Sequence, residues 1–586
     1  MILELGDKES FTELRQQLAI IIYLISLASI LIYIRSLIYF DVNPLVFHIA
    51  FVTSTLTLSL LLIGPNRSSV AKAGPALVFA WVLALGLTIP LRFPEGIITN
   101  YTDVIYELQI VRNMIASGAV TFTAPTSYAA AYAFNPTLEL LISAISLVTG
   151  LDSDVTMKYA GPFMGVLTIA FLFAFYRGFM SRKASCISLL LAASCANFLF
   201  FDSQTLHETL ALVFLSGLVY TLARSGKRWT IIGTIFASMV VMTHAFTSVM
   251  VSVFFFSASV VVLIFSRTFK QNPSHLERSI LRIVFPFAAM TCLWLLWVAF
   301  PISKSIAGYV QGVLRVLLSG SQTTFSLRAG PAITNLWIRI TGDAGLVLFA
   351  LTAVIGFILA TRKQYSLYRR MLPLAIGAGI IFIISFVPFV GYIQSSSLYR
   401  IFFYLLGRAY TYVYFFAAPL SYLAIAKLTS SVRFQPNYGK IVGMLLIALI
   451  ASAGFYYGRP VFIYDNSAPL NVEDVRFPLQ EWKSAGLFVK THTDQSASLW
   501  GDQIAFNYIG GYGEREVGER EAHYGTINIT LNELVYTDAS PGSIVILRDS
   551  AVTVPYYVTN ETEFTEILQS NNVFFSSGEV IMIEVT

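Results

Sequence analysis

The chain has 586 residues, of which 56% are hydrophobic and only 12% are charged. A soluble domain carries about twice that share of charged residues, so the composition excludes a wholly soluble protein and indicates a polytopic membrane protein. The net charge of +5 comes without a basic patch interleaved with aromatic residues, which argues against a nucleic-acid partner. The three cysteines lie inside apolar segments and exclude a disulfide framework or a cysteine-based metal site.

The first part of the chain predicts a series of membrane spans. Residues 1–17 lack the basic start and the cleavage site of a signal peptide, and they predict an amphipathic cytoplasmic lead-in. A span needs about 20 apolar residues, and loops rich in lysine and arginine stay in the cytoplasm. Six basic loops fall on one side if the N-terminus is cytoplasmic and the transmembrane domain, 18–457, holds thirteen helices. The predicted spans are 18–40, 46–63, 75–92, 158–177, 184–201, 206–223, 229–244, 247–266, 280–300, 343–361, 371–391, 401–427 and 439–457.

One short apolar segment, 135–150, is predicted to lie in the outer membrane interface instead of crossing the bilayer. It begins beside Pro136 and contains Glu139, and counting it as a span would invert every later basic loop. The first outer loop then covers residues 93–157. With this count the C-terminal residues 458–586 are also outside, so the sequence predicts a multi-pass cell-membrane protein with an extracytoplasmic domain.

The C-terminal residues alternate helical and strand-like patterns and predict a small α/β domain. The predicted elements are helices at 478–493 and near 562–570, strands at 496–502 and 543–549, and a closing hairpin at 573–585. The turn "NYIGGYG" (507–513) is not a phosphate-binding loop, because it lacks the Lys-Ser/Thr ending. The domain is interpreted as an accessory or acceptor-binding lid, or as a purely structural module.

Ionisable side chains near the membrane gather on the predicted outer side. Placing such groups at membrane depth costs free energy, so they are functional candidates. Asp103 and Glu107 follow an apolar stretch and are four positions apart, so a helix there would place both acids on one face. The other candidates lie in the second outer loop, in a very short turn between two spans, and in later outer segments: Asp202, His207, Glu208, His244, Arg328, Arg400 and Arg408.

These residues suit chemistry on a phosphorylated lipid at the outer leaflet. A carboxylate beside an acceptor hydroxyl can act as a general base, which is a role for Asp103 or Glu107. Acids with one imidazole are ligands that a hard divalent cation such as Mg²⁺ or Mn²⁺ accepts. The candidate metal ligands are Asp103, Asp202, His207 and Glu208. The candidate groups for binding substrate or lipid phosphate are His244, Arg328, Arg400 and Arg408.

Each candidate also has a structural interpretation. Asp103 could cap its helix while Glu107 offsets the helix dipole, and Asp202 could cap a helix that starts near residue 203. His244 could be an interfacial histidine, and Arg400 could reach the lipid headgroups by snorkelling. The clustering on one side favours the functional interpretation for the residues taken together.

The arrangement resembles the GT-C class of membrane glycosyltransferases, the superfamily of oligosaccharyltransferases and protein mannosyltransferases, in its prokaryotic or archaeal members. Residues 89–118 are similar to the segment that leads from an early span into an acidic first outer loop, and 132–179 to the interfacial helix and the next span. "FDSQTLHE" (201–208) occupies the second outer loop, where many members place another acidic motif. The stretch 302–342 resembles the flexible outer loop that closes over donor and acceptor.

The resemblance implies a transferase that takes a sugar from a polyprenyl-phosphate or polyprenyl-diphosphate donor. The acceptor would be a glycan, lipid or protein at the outer face of the membrane. Asp103 matches the acid that serves as base or metal ligand in such enzymes, and the class is compatible with a divalent metal without requiring one. The chain has no DxD motif in its second loop and no WWDxG signature, which argues against transfer to asparagine.

Two other functions stay open at this stage. A secondary transporter or lipid flippase usually shows internal repeats and charges near the midplane, whereas this chain shows no convincing repeat and gathers its charges at one end of the spans. A non-catalytic GT-C-like subunit of a membrane assembly would use the same scaffold without chemistry, and the missing DxD motif is compatible with that interpretation.

Overall fold

The computed structural model describes most of the chain, and the statements below concern the residues that it describes. These are 2–40, 42–63, 69–92, 103–120, 133–202, 204–269, 272–300, 336–390, 396–431, 436–458, 479–494, 496–501, 509, 512, 517–519, 543–548, 561–576 and 580–585. Arg328 and most of the predicted flexible loop 302–342 lie outside them. For Asp103, Asp202 and Arg400 the backbone is described and the side chain is not.

The chain is mainly helical. The helices are, in chain order, α1 (Ile2–Ser36), α2 (Leu45–Ile63), α3 (Ser69–Gly86), α4 (Thr88–Arg92), α5 (Asp103–Ser117), α6 (Thr137–Thr149), α7 (Ser153–Tyr176), α8 (Arg182–Ala193), α9 (Ala196–Asp202), α10 (His207–Leu222), α11 (Lys227–Thr243), α12 (Ala245–Phe269), α13 (His275–Leu293), α14 (Leu336–Ala360), α15 (Ser366–Arg369), α16 (Leu372–Val390), α17 (Ser396–Ser431), α18 (Pro436–Gly458), α19 (Leu479–His492) and α20 (Glu561–Ser570). A π-helical turn, Trp294–Val298, continues α13.

Within the described residues, eight helices are long and apolar enough to cross a membrane. Their apolar segments are Leu14–Ser36, Leu45–Ile63, Ser153–Tyr176, Ala245–Thr268, His275–Val298, Ile340–Ala360, Arg408–Ser430 and Tyr438–Tyr456. Shorter apolar helices are Lys72–Gly86, Thr137–Thr149, His207–Leu222 and Leu372–Ser385. The prediction of a polytopic helical membrane protein is confirmed, whereas the count of thirteen spans and the orientation of the termini stay predictions.

Two predicted spans have a different form in the structure. The predicted lead-in and the first span belong to one continuous helix, α1, because "LRQQLAII" (14–21) contains no residue that breaks a helix. The predicted span 184–201 is divided into α8 and α9, which meet at Ser194. The Ser194 hydroxyl donates to the Leu191 carbonyl oxygen, a local bond that competes with the helical pattern.

Unit 1 is one of two compact units and comprises Met1–Arg92, Gly161–Phe325 and Ile333–Asn466. Its helices approach one another closely at glycines. A Cβ atom on Gly454 would overlap the Ser194 carbonyl oxygen, and one on Gly356 would overlap the Leu420 carbonyl oxygen. Because lipid is as apolar as the side chains, membrane helices associate through such close packing at small residues. These contacts hold α18 against the end of α8 and α14 against α17.

Long-range hydrogen bonds from tyrosines also join the helices of unit 1. The Tyr23 hydroxyl donates to the Leu77 carbonyl oxygen at 2.6 Å, and the Tyr176 hydroxyl donates to the Phe415 carbonyl oxygen at 2.5 Å. A polar group inside a membrane protein must find its partner within the protein, since the hydrocarbon offers none. The bonds therefore fix α1 to α3 and α7 to α17.

Unit 2 comprises Phe93–Ala160, Ser326–Ala332 and Ser467–Thr586. In it α5 packs against α6, a helix of 13 residues. Such a helix is about 20 Å long, too short for a hydrocarbon core of about 30 Å. Helix α6 buries Leu138 and Ile142 and exposes Leu147 and Val148, which are 65% and 86% exposed. This one-sided apolar face suits the predicted interfacial position, which stays a prediction.

A five-stranded sheet belongs to the C-terminal part of unit 2. The strands are β1 (Leu499–Gly501), β2 (Val517–Glu519), β3 (Ile544–Arg548), β4 (Asn572–Ser576) and β5 (Val580–Glu584). Their order is β2-β1-β3-β5-β4, with β1 parallel to β2 and β3, and β5 antiparallel to β3 and β4. The sequence predicts all of these except β2, which has three residues inside an acidic run and therefore shows no strand pattern.

One carboxylate links the separate segments of unit 2. Asp154, at the start of α7, accepts hydrogen bonds from Arg112 at 2.5 Å and from Lys483 at 3.0 Å. The ring centroid of Tyr512 lies 5.3 Å from the Arg112 guanidinium and 5.5 Å from the Lys483 ammonium group. Helices α5, α7 and α19 therefore share one small cluster of charges over an aromatic ring.

The substitution Asp154→Ala is expected to loosen unit 2 modestly. The side chains of Arg112 and Lys483 are 35% and 29% exposed, so water screens the pairs and the loss is about 1 kcal/mol. The measurement is the rate at which a protease cleaves the C-terminal domain of the purified protein, which should rise. Asp152→Asn is the matched control, because Asp152 is exposed and asparagine keeps its cap on the Asp154 amide. Equal cleavage of the two variants would contradict the prediction.

Candidate functional site

Glu208 is the centre of a polar network in unit 1. It is the second residue of α10, where the positive end of the helix dipole stabilises a carboxylate. Its side chain is 14% exposed. The Oε1 atom accepts a hydrogen bond from Nη2 of Arg408 and lies 3.3 Å from Nε2 of His244. One carboxylate oxygen therefore joins α10 to α17 and to the junction of α11 and α12.

His244 is the single residue between α11 and α12, and both of its ring nitrogens are engaged. Its backbone is extended, with φ −152° and ψ 114°, which ends α11. The backbone N–H of Thr247 donates to Nδ1 at 3.1 Å, and the Thr247 hydroxyl lies 2.8 Å from the same nitrogen. A nitrogen that accepts a backbone N–H carries no proton, so the neutral imidazole carries its proton on Nε2, which faces Glu208. His244 therefore caps α12 through Nδ1 and places its Nε2–H beside the Glu208 carboxylate.

Arg408 reaches the network from α17. Its guanidinium lies 5.8 Å from the ring centroid of Phe246, and its side chain is 15% exposed. In the part of the chain that the structure describes, the buried Nε atom of Arg408 has no hydrogen-bond partner. A buried donor without a partner costs roughly 1–3 kcal/mol, so this N–H is a group that a bound acceptor would satisfy.

The three side chains balance their charges. The carboxylate of Glu208 offsets the guanidinium of Arg408, and the neutral imidazole of His244 adds no charge. A carboxylate that holds one edge of a guanidinium fixes its orientation and leaves other N–H groups for a ligand. The arrangement can therefore bind an anionic oxygen through Arg408, with Glu208 positioning the arginine and His244 positioning Glu208.

Two other residues of the second outer loop take different places. His207 is fully buried, and its ring centroid lies 6.4 Å from that of His244. Asp202 is the last residue of α9. It does not cap the next helix, because α10 begins at His207 and its N-cap is Leu206. The side chain of Asp202 is outside the described residues, so its predicted role stays a prediction.

The described side chains suit an ion pair better than a metal. The guanidinium of Arg408 at Oε1 of Glu208 repels a second cation at the same oxygen, and His244 presents a protonated nitrogen to it. Among the residues that the structure describes, no group of three or more His, Cys, Asp or Glu side chains is placed to hold a metal ion. The Mg²⁺ or Mn²⁺ site stays a prediction, and none of the chemistry below depends on it.

The acids of the first outer loop belong to unit 2. Helix α5 begins at Asp103, and Glu107 lies one turn later, so the predicted helical spacing of the two acids is confirmed. Glu107 is 1% exposed, and Glu139 on α6 is fully buried. Carboxylates are rarely buried unless surrounding groups hold them, so Glu107 is part of the packing of unit 2. Asp103, at the N-terminal end of α5, is the other candidate.

Three contributors to the network are absent from the sequence predictions. Thr247 follows His244 by three residues, which is the spacing of a helix cap and its N–H donor, and this signal could have identified it. Phe246 and Tyr412 resemble ordinary apolar residues of a span. Only the fold shows that Phe246 lies beside Arg408 and that the Tyr412 hydroxyl lies beside Thr247.

Comparisons with known proteins reveal a likeness in fold. No protein-family model matches the chain, and no curated protein matches it in sequence. The apo structure of ArnT from Cupriavidus metallidurans has a TM-score of 0.50 at 11% identity, over 88% of this chain and 98% of that chain. ArnT bound to undecaprenyl phosphate has a TM-score of 0.46 at 12% identity, with the same coverage.

The archaeal oligosaccharyltransferase AglB from Archaeoglobus fulgidus, in complex with an inhibitory peptide and a dolichol-phosphate, has a TM-score of 0.47 at 14% identity. The match covers 89% of this chain and 75% of that chain. The likeness to apo ArnT agrees with the architecture expected from the sequence. The chain is an α-helical multi-pass membrane protein with a GT-C-like fold and a small C-terminal sheet.

Proposed function

We propose that the chain is a membrane glycosyltransferase that moves a sugar from a polyprenyl-phosphate-linked donor to an acceptor at the outer face of the membrane. The observation that carries the proposal is the largely buried Arg408 side chain in a GT-C-like fold. Glu208 orients it, and its buried Nε–H group has no hydrogen-bond partner among the described residues. A buried guanidinium with spare donors is suited to the oxygens of a phosphate.

Arg408 acts on the leaving group in this proposal. The reaction forms a bond between the acceptor oxygen and the anomeric carbon of the sugar, and it breaks the bond from that carbon to the lipid phosphate. The departing lipid phosphate gains negative charge. The guanidinium of Arg408 stabilises that charge, and Glu208 keeps the guanidinium in place.

Asp103 acts on the acceptor in this proposal. Its carboxylate takes the proton of the acceptor hydroxyl as the new glycosidic bond forms, which is the role of a general base. Glu107, buried one turn further along α5, positions the helix that carries Asp103.

The experiment is an assay of the purified full chain with a radiolabelled polyprenyl-phosphate sugar and acceptor lipids. Asp103→Asn is expected to lower turnover by about 10²–10⁴-fold, the usual contribution of a general base. The matched control is Asp152→Asn, which makes the same chemical change at an exposed acid of unit 2 and should keep full turnover. Unchanged turnover in Asp103→Asn would exclude its role as the base.

A second measurement separates the proposal from transport. The protein is reconstituted into liposomes that carry the labelled donor in one leaflet. A glycosyltransferase cleaves the bond between sugar and phosphate, whereas a flippase moves the intact donor to the other leaflet. Movement of the donor without cleavage, with every acceptor class supplied, would contradict the proposed transferase.

A further inference from the structure

The end of unit 1 where α2 and α3, α7 and α8, and α17 and α18 are connected is rich in positive charge. The three connecting stretches, 64–72, 177–183 and 427–440, contain no aspartate or glutamate. The structure describes six cationic residues in these stretches, and five of them are named here the basic end: Lys72, Arg177, Arg182, Lys183 and Lys440. All are exposed except Lys183, which is half-buried.

Hydrogen bonds bring the basic end together. The Arg182 guanidinium donates to the Lys72 carbonyl oxygen at 2.5 Å, and the Lys183 ammonium group donates to the Ile63 carbonyl oxygen at 2.5 Å. The start of α8 is therefore fixed to the end of α2 and to the first turn of α3. A Cβ atom on Gly443 would lie 3.5 Å from Cδ1 of Ile63, which places the start of α18, with Lys440, at the same end.

The positive charges of the basic end lie close together and next to the positive end of a helix dipole, which is unfavourable. Arg182 and Lys183 lie in the first turn of α8, where the helix dipole is positive and acids are preferred, and this turn has no acid. Burial and the nearby Lys440 lower the pKa of Lys183. In the described structure no ion pair involves Lys72, Arg177, Arg182 or Lys440. A bound anion would relieve this repulsion.

The surface next to the basic end is apolar. On α18, exposed apolar side chains recur at helical spacing: Tyr438, Ile441 and Leu445 are 58%, 47% and 51% exposed. A lipid whose phosphate lies at the basic end could lay its acyl chains along this face. A free phosphate would gain nothing from it.

We propose that the basic end binds the phosphate group of an anionic membrane lipid. The site is separate from the network around Arg408. Arg182 and Lys183 begin α8, whereas Asn197, which follows the end of α8, donates to Thr411, one turn after Arg408. The length of α8 therefore separates the two sites. The lipid at the basic end is a bound membrane component and not the sugar donor.

The experiment titrates the purified full chain in mild detergent with phosphatidylglycerol or phosphatidylcholine and follows bound lipid by native mass spectrometry. Phosphatidylglycerol is expected to bind more tightly. The variant Lys72→Gln with Lys440→Gln removes two exposed charges that make no described side-chain hydrogen bond. It is expected to weaken phosphatidylglycerol binding at least about tenfold, since each basic residue near a membrane surface contributes about fivefold in affinity.

The matched control is Arg362→Gln with Arg370→Gln. It removes two exposed charges from another basic loop, between α14 and α16, that is predicted to face the same side of the membrane. The control should bind phosphatidylglycerol within about twofold of the parent, a change smaller than one basic residue contributes. An equal loss in both variants, or equal binding of the two lipids, would overturn the site. Displacement of the lipid by millimolar inorganic phosphate would show that the site takes the phosphate group alone, and it would overturn the assignment to a lipid.

Discussion

Replacing Glu208 with glutamine is expected to lower the stability of the protein by about 3–5 kcal/mol, the cost of leaving a buried charge without its partner. The glutamine amide has nearly the shape of the carboxylate and can still accept a hydrogen bond. It cannot offset the guanidinium of Arg408, which is only 15% exposed. The measurement is the midpoint of thermal unfolding, followed by a thiol-reactive dye, because Cys186 and Cys195 are free and buried in the folded protein.

A double variant shows whether the effect belongs to the pair. Glu208→Gln combined with Arg408→Gln removes both charges, so it should unfold at a higher temperature than Glu208→Gln alone. The stability losses from substituting two side chains in contact do not add, whereas the losses at independent sites do. Glu566→Gln, at an exposed acid on α20, controls for the loss of one negative charge. If the stability loss of the double variant equals the sum of the losses of Glu208→Gln and Arg408→Gln, the two side chains do not stabilise each other.

The second large effect is expected from Gly454→Ala. A methyl group at this position would overlap the backbone carbonyl oxygen of Ser194, and a backbone atom cannot turn aside as a side chain can. Helix α18 would have to move away from the end of α8, and the cost is about 3 kcal/mol or more, at the upper end for overpacking. The readout is the thermal midpoint together with the fraction of the protein that elutes as a monodisperse species in detergent.

Gly379→Ala is the matched control for this change. Gly379 lies within α16, and a Cβ atom there would have no neighbour within 4 Å. Alanine should be neutral or should stabilise α16 by about 0.5–1 kcal/mol, because glycine loses more backbone freedom in a helix. Equal behaviour of the two variants would mean that the approach of α18 to Ser194 is not tight.

Local patterns in the sequence were sufficient for most of the helices and strands. Apolar runs identified the helices, since their length and composition are properties of one segment. Local patterns also predict β3 and the hairpin of β4 and β5, because the strand-like pattern of each lies in consecutive residues. The break at Ser194 was not predicted, because the chain around it stays apolar and the cause is local hydrogen bonding.

The candidate site could be predicted only as a set of residues. The sequence identifies Glu208, His244 and Arg408 as candidates, because ionisable groups are rare in apolar surroundings. The sequence assigned Glu208 to a metal and Arg408 to a phosphate, whereas the structure places them in one ion pair across 200 positions. No sequence pattern reports which faces of α10 and α17 meet. The role of each nitrogen of His244 likewise depends on the distances to Thr247 and Glu208.

The assembly of unit 2 from distant parts of the chain has a consequence for biosynthesis. Its segments Phe93–Ala160 and Ser467–Thr586 are separated by roughly 300 residues, most of them apolar helices, so at about 5–20 residues per second a ribosome needs roughly 15–60 s to pass from one to the other. During that interval α5 and α6 lack Lys483 and Tyr512, the groups that complete the charge cluster at Asp154. The early half of the unit therefore gains its contacts with Lys483 and Tyr512 only after translation has passed residue 512.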